Sequence, residues 1–252
     1  MPIIETKHLK KVYDPYGVYP KTAIKDLSLS IEKKEFVCIM GTSGSGKTTL
    51  VNILSTIDTA TGGEVFIDGK NVLVMSNNEK SILRKEEIGF IFQNYNLIES
   101  LRIKDKILFS LRVNRAAKDV QLQRLNELAK KLDIEEILYK YPSQCSGGQQ
   151  QRVAIARALI MKPKIIFADE PTGNLDSLNG RELMELFEKI NRENGTTIVM
   201  VTHDSLIASY ASKVYFVNDG EIETCVEKEN LSQEKYYSKI VNLSSNLNLD
   251  VK

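Results

Sequence analysis

The run Gly41-Thr42-Ser43-Gly44-Ser45-Gly46-Lys47-Thr48 follows directly on the apolar stretch Phe36-Val37-Cys38-Ile39-Met40. Its spacing, G-x-x-x-x-G-K-T, is that of a phosphate-binding turn. The pattern predicts a buried strand, a glycine-rich loop and a helix beginning near Lys47. Glycines let successive backbone N–H groups converge on one point, and the helix start adds the positive end of its dipole. Lys47 then reaches the β- and γ-phosphates, and the Thr48 hydroxyl can ligate Mg²⁺.

Two further stretches could complete such a site. Ser146-Gly147-Gly148-Gln149 opens a helical run through Ala154, Ile155, Ala158 and Leu159. A serine and two glycines at a helix start offer a hydroxyl, backbone N–H groups and a dipole to a second anion; the plain alternative is an ordinary N-cap. Ile165-Ile166-Phe167-Ala168-Asp169-Glu170 is an apolar strand ending in two carboxylates. Asp169 suits an outer-shell contact to a small hydrated Mg²⁺, and Glu170 stands where it can polarise an attacking water.

The elements around these residues follow from periodicity. Residues 3–31 are strand-rich, with Leu27, Leu29 and Ile31 alternating onto one face and a turn-rich loop over 14–20. Glu64 to Ile67 and Ile88 to Phe92 are short β-prone runs. Residues 100–160 turn helical, and Leu122, Leu125, Leu128 and Leu132 predict one internally packed stripe. After Pro163, apolar strands at 165–168 and 197–201 flank a helix near 178–193, a pattern of strands buried on both faces of a parallel sheet. Val214–Val217 and Glu221–Thr224 read as a hairpin around Asn218-Asp219-Gly220. The last 25 or so residues predict a peripheral helix with a loose end.

Bulk properties narrow the function classes. The chain has 252 residues, net charge +1, 42% hydrophobic and 27% charged residues. That is ordinary globular composition, and the balanced charge argues against a dedicated nucleic-acid binder. No run approaches the ~18 apolar residues of a membrane span, and Met1-Pro2-Ile3-Ile4-Glu5 lacks signal-peptide character. Cys38, Cys145 and Cys225 lack C-x-x-C spacing and read as reduced small hydrophobes, which points to the cytoplasm.

In the order and spacing of these motifs, over residues 13 to 203, the chain resembles the nucleotide-binding subunit of an ATP-binding cassette (ABC) transporter. The resemblance implies an α/β fold: a P-loop NTPase core with a mostly parallel sheet, an antiparallel β subdomain and a helical subdomain over roughly 98–160. Residues 1–225 would form a single ABC ATPase domain, with 226–252 as a C-terminal peripheral helix and tail. It further implies that Gly41 to Thr48 is the Walker A loop, with Thr49 beside it as a nucleotide contact. Gln93 would be the Q-loop residue sensing Mg²⁺ and the γ-phosphate, and Ser146-Gly147-Gly148-Gln149 the signature motif. Asp169 and Glu170 would be Walker B and the catalytic base, Asp176 in Asn174-Leu175-Asp176 the D-loop aspartate, and His203 the switch histidine. Tyr13 matches the aromatic that stacks on adenine, with Tyr16 and Tyr19 as competitors for that role. The ligands implied are ATP and Mg²⁺, the metal held through Thr48, Gln93 and Asp169.

There are two departures from the family pattern. Cys145 stands where leucine usually precedes the signature serine, and Lys34 where glycine is common before Glu35-Phe36.

One chain carries two anion sites but only one lysine-bearing loop. Two copies facing head to tail resolve this, each Ser146-Gly147-Gly148 meeting the γ-phosphate on the other's Lys47. The resemblance implies this homodimer, and an integral membrane permease holding the chain at the inner face of the cell membrane. The aromatic region Phe90, Phe92, Tyr95, Leu97 and Ile98 is a candidate groove for a permease helix, about half of it core. Gly89-Phe90-Ile91-Phe92-Gln93-Asn94-Tyr95-Asn96-Leu97 is similar to the bacitracin-resistance branch of the macrolide/lipoprotein-export group; lipoprotein release and cell-division signalling are the alternatives. A translation ATPase would carry two cassettes, a chromosome-maintenance ATPase a long coiled coil, and a non-hydrolysing module would lack Glu170 and His203.

Overall fold

The computed structural model describes residues 1–247. The strands are β1 (Ile4–Tyr13), β2 (Lys21–Ile31), β3 (Phe36–Met40), β4 (Gly62–Ile67), β5 (Lys70–Asn71), β6 (Ile88–Ile91), β7 (Ile165–Asp169), β8 (Thr197–Val201), β9 (Lys213–Asn218) and β10 (Glu221–Glu227). The helices are α1 (Lys47–Leu54), α2 (Asn77–Glu86), α3 (Ile103–Val113), α4 (Lys118–Lys131), α5 (Gly147–Leu159), α6 (Ser177–Asn194), α7 (Ser205–Ala208) and α8 (Gln233–Asn246).

Two sheets form. One is antiparallel, in the order β2-β1-β4-β5; the other runs β10-β9-β3-β8-β7-β6 and is parallel from β9 to β6. The expected mixture of a mostly parallel sheet, an antiparallel sheet and a helical region is what the chain adopts. The continuous apolar strands explain why. Val37, Ile39, Ile165, Phe167, Val199 and Val201 point into one core, shared with α1 and the antiparallel sheet. Their alternates Phe36, Cys38, Met40, Ile166, Ala168, Ile198 and Met200 point into the other, shared with α3 to α6 and α8. The central sheet is a wall with oil on both sides, and each large side chain fully buried there contributes about 1.5–3 kcal/mol.

Register then levels the strand ends. Ile39 pairs with Val201, Val201 with Asp169 and Ala168 with Ile91. The segments leaving β3, β8, β7 and β6 therefore emerge along one carboxyl edge, where open α/β sheets form their crevices.

Two expectations change. Leu125 and Leu132 are buried and Leu128 packs partly, but Leu122 is 56% exposed. Steps of three residues precess around a helix, leaving Leu122 about 120° from Leu128; Ala129 takes its place in the buried stripe. The helix expected at the periphery, α8, drives Tyr236 and Ile240 wholly into the larger core, and Tyr236 Oη donates to Val226 O at 3.0 Å. Its polar composition concealed two well-placed anchors; the expected loose end lies outside the described residues. Lys34, standing where glycine is common, lies in the exposed turn between β2 and β3 and adopts φ 68°, the left-handed region that glycine suits.

Candidate functional site

The phosphate loop leaves β3 and becomes α1 through Gly46, whose φ of 101° no L side chain accepts readily. A Cβ there would lie 2.4 Å from Ala23 O, so the loop presses against β2. At Gly41 a Cβ would meet Val217 O at 2.1 Å. No side chain caps α1, which leaves its first-turn N–H groups directed into the loop. Ser45 Oγ is buried and bonds to no described residue. An uncapped helix start beside an orphaned hydroxyl is the concavity an anion would fill.

Lys47 is 9% exposed, and its Nζ donates to Gly41 O at 2.8 Å and Thr42 O at 2.7 Å. Burial lowers its pKa, while Glu170 and Asp169 pull it back up. Thr48 Oγ1 donates to Asp169 Oδ1 at 3.5 Å. Burial and the neighbouring Glu170 raise the Asp169 carboxyl above its ordinary value, the condition of an acid short of positive charge. Glu170, at φ 46°, turns back from β7; its Oε1 is 2.9 Å from His203 Nδ1 and its Oε2 accepts from Thr202 Oγ1 at 3.4 Å.

Gln93 joins through its backbone and side chain. Its carbonyl accepts from Asn174 Nδ2 at 2.9 Å, and a Cβ on Gly173 would lie 2.9 Å from its Nε2. Tyr13 Oη donates to Asp58 Oδ2 at 3.0 Å and stands 3.3 Å from Thr49 Oγ1, so its ring flanks the phosphate-loop helix. Tyr16 and Tyr19 project fully into solvent. Lys47, Thr48, Asp169, Glu170 and His203 thus meet at the carboxyl edge of the sheet, with Tyr13 joined through Thr49 and Gln93 beside the Glu170–Gly173 turn.

Ser146 and its neighbours stand elsewhere. Ser146 Oγ accepts from Gln149 N at 3.2 Å and Gln149 Oε1 accepts from Ser146 N at 3.0 Å, a complete capping box. Gly148 faces Asn179 Oδ1, and Gly147 faces the Tyr95 hydroxyl. Asp176 caps α6 by accepting from Asn179 N and Nδ2, and those bonds lower its pKa. Ser146 and its neighbours therefore share one surface with Asp176 at the starts of α5 and α6, and no hydrogen bond among the described residues joins them to the phosphate loop.

A family model described as "ABC transporter" matches residues 24–173. The chain belongs to the ABC transporter family. It is similar to the ABC transporter ATP-binding protein YxdL of Bacillus subtilis, 42% identical over 97% of this chain and 94% of the relative. It is equally similar, at 42% over 96% and 95%, to the bacitracin export ATP-binding protein BceA of Halalkalibacterium halodurans. A solved dimeric structure of the ATP-binding cassette MJ0796, in a post-hydrolysis state with ADP and Pi, superposes with TM-score 0.84 at 39% identity, covering 90% of this chain and all of that one. The chain is accordingly an ABC transporter ATP-binding subunit and an ATPase.

The ABC cassette also contains supporting residues that the motifs did not single out. Thr202 bonds Glu170. Arg157 on α5 donates to Tyr95 O at 2.9 Å and Asn96 O at 2.6 Å, two residues held at positive φ just after Gln93. A single cation interrupting the apolar run from Val153 to Ile160 was the visible signal for Arg157. Cys145, in the usual leucine position, packs against the larger core and donates Sγ–H to Tyr141 O at 3.5 Å.

Proposed function

We propose that the chain binds ATP with Mg²⁺ at the carboxyl edge of its six-stranded sheet and hydrolyses it between two head-to-tail copies, powering a separate membrane permease. The observation that carries this is the convergence of Thr48 with Asp169 and of Glu170 with His203 at the mouth of the phosphate loop. Lys47 exchanges its two loop carbonyls for phosphate oxygens. Tyr13 stacks on the base.

Thr48 and Asp169, with Gln93 completing the set, are hard oxygen donors suited to Mg²⁺, and the raised pKa of Asp169 fits a carboxylate that a cation would relieve. Held there, Mg²⁺ would supply positive charge to offset that of the transferring phosphoryl group. Glu170 takes a proton from the attacking water, and His203, bonded to it, orients the carboxylate. Ser146, Gly147 and Gly148 serve the partner copy's γ-phosphate, which accounts for their separation from their own loop. Asp176 and Gln149 hold the starts of α6 and α5 in shape for that contact.

The organisation that fits this chemistry is one ATPase domain over 1–225, whose helical part at roughly 98–160 carries the signature, and a C-terminal segment from 226. The permease site is the recess of about 220 Å³ lined by Arg84, Phe90, Phe92, Ser110, Arg157 and Met161. No described helix is long and apolar enough to cross a membrane, so attachment to the inner face of the cell membrane runs through the permease. The likeness to a bacitracin export protein supports antimicrobial-peptide resistance as the pathway served. The test is ATP hydrolysis by the purified chain together with identification of the membrane protein that co-purifies with it; inability to bind or cleave ATP–Mg²⁺ overturns the reading.

A further inference from the structure

Three consecutive glutamines, Gln149, Gln150 and Gln151, begin α5, and they have different fates. Gln149 closes the capping box, and Gln150 Nε2 bonds the carbonyls of Pro142 and Cys145 just ahead of the helix. Gln151 is 1% exposed and turns the other way: its Nε2 donates to Pro171 O at 2.9 Å. A carbonyl only accepts, so chemistry itself fixes which end of the amide faces Pro171. The other end, Oε1, is buried without a partner among the described residues. Beside it a cavity of about 80 Å³, bordered by Gly148, Arg152, Asn179 and Leu183, separates α5 from α6.

Pro171 follows Glu170 directly. The two begin a tight turn in which Gly173 N donates to Glu170 O at 3.0 Å, with Glu170 held at φ 46°. Glu170 N is pinned to Val201 O at 3.0 Å, which fixes one side of the turn to the sheet. Pro171 is buried and has no N–H, so its carbonyl is the polar group through which the turn's other side can be held. Among the described residues, the bond from Gln151 is the one that ties α5 to it. A leucine of similar volume would bury no unpartnered amide oxygen but would leave the Pro171 carbonyl without this donor; the amide makes sense for the bond it makes.

We propose that Gln151 is a positioning residue for hydrolysis: its amide fastens the Glu170–Gly173 turn to the signature helix, so that Glu170 is aimed correctly only while α5 is in place. The proposal rests on the reading of Glu170 as the base. Its reach extends from the catalytic carboxylate to the helix that meets the partner's nucleotide, since Ser146 and Gln151 lie little more than one turn apart on α5.

The experiment compares Gln151→Leu, Gln151→Glu and Glu170→Gln in the full chain. Melting temperature, ATP affinity by calorimetry, and kcat and KM are measured for each. For Gln151→Leu the expected result is a kcat reduced by about ten-fold or more at unchanged KM and ATP affinity, the signature of an interaction used after binding. Gln151→Glu presents an acceptor to an acceptor when ionised and regains a donor when protonated. Its activity relative to wild type should therefore recover as pH falls from about 8 to about 6, the buried acid having a raised pKa; a defect unrelated to the donor gives no such recovery, and one of folding alone moves the melting temperature with it. Wild-type kcat in folded Gln151→Leu, or a loss wholly explained by weaker ATP binding, overturns the proposal. Normal turnover by Glu170→Gln overturns instead the reading of Glu170 on which it rests.

Discussion

His203 Nδ1 and Glu170 Oε1 lie 2.9 Å apart although 33 residues separate them in sequence. They meet because β7 and β8 are paired neighbours in register, Asp169 opposite Val201, so that the residues just beyond each strand end face one another. The carboxylate is largely enclosed, its side chain 16% exposed, whereas the imidazole is 73% exposed. An enclosed carboxylate with its imidazole partner on the open side suits a site completed by a second surface.

Glu170→Gln should retain ATP binding, lose at least about 10²-fold in turnover, the usual worth of a general base, and accumulate ATP-bound dimers. Size-exclusion chromatography with and without ATP–Mg²⁺ measures the dimer. His203→Ala should fall by a similar order with ATP affinity retained, because it removes the orienting partner rather than the phosphate contacts.

Lys47→Ala acts earlier. The ammonium already bonds two carbonyls of its own loop, so its charge-assisted bonds to phosphate replace existing ones. Loss of about 1.5–3 kcal/mol, or roughly ten- to a hundred-fold in ATP affinity, is expected by calorimetry. Unchanged affinity would remove Lys47 from its assigned role.

The three tyrosines near the start of the chain can be told apart by substitution. Tyr13→Ala should weaken ATP by about 1–3 kcal/mol, the worth of a stacked base. Tyr16→Ala and Tyr19→Ala should leave it unchanged, since both side chains stand clear in solvent. Titration with ATP and with inorganic triphosphate separates base stacking from phosphate contacts.

Lys34 offers a gain. A left-handed conformation costs a non-glycine residue about 1–2 kcal/mol, partly offset by the greater unfolded-state freedom of glycine. Lys34→Gly keeps both backbone bonds, N–H to Thr197 Oγ1 and C=O from Asn191 Nδ2. It should raise stability by about 0.5–1 kcal/mol in urea denaturation, with ATPase activity unaltered.

Asp68 predicts an acid dependence. The Lys33 and Lys164 ammonium groups, at 2.7 and 3.0 Å, hold its carboxyl down to about 2 from an ordinary 3.8. A pKa depressed on folding stabilises above the unfolded value and is lost as protonation proceeds, here between about pH 4 and pH 2. Asp68→Asn should cost about 1 kcal/mol near neutrality, the upper range for partly exposed pairs. In urea denaturation at a series of pH values, the gap from wild type should close below about pH 3.

Much of the molecule was legible in residue order alone. The phosphate loop, the apolar strands and the paired acids are local patterns: each depends on spacing along a few residues, and backbone sterics and alternation carry the rest. Tertiary structure decided what depends on residues far apart in sequence. It brought Tyr13, and neither Tyr16 nor Tyr19, beside Thr49 and Asp58. Leu122 was left outside and Tyr236 brought inside, since helix precession and docking, not composition, set which side chains meet the core. Of three adjacent glutamines it turned one toward Pro171. Such partners are selected by strand register and helix packing, which join positions that a one-dimensional pattern keeps apart.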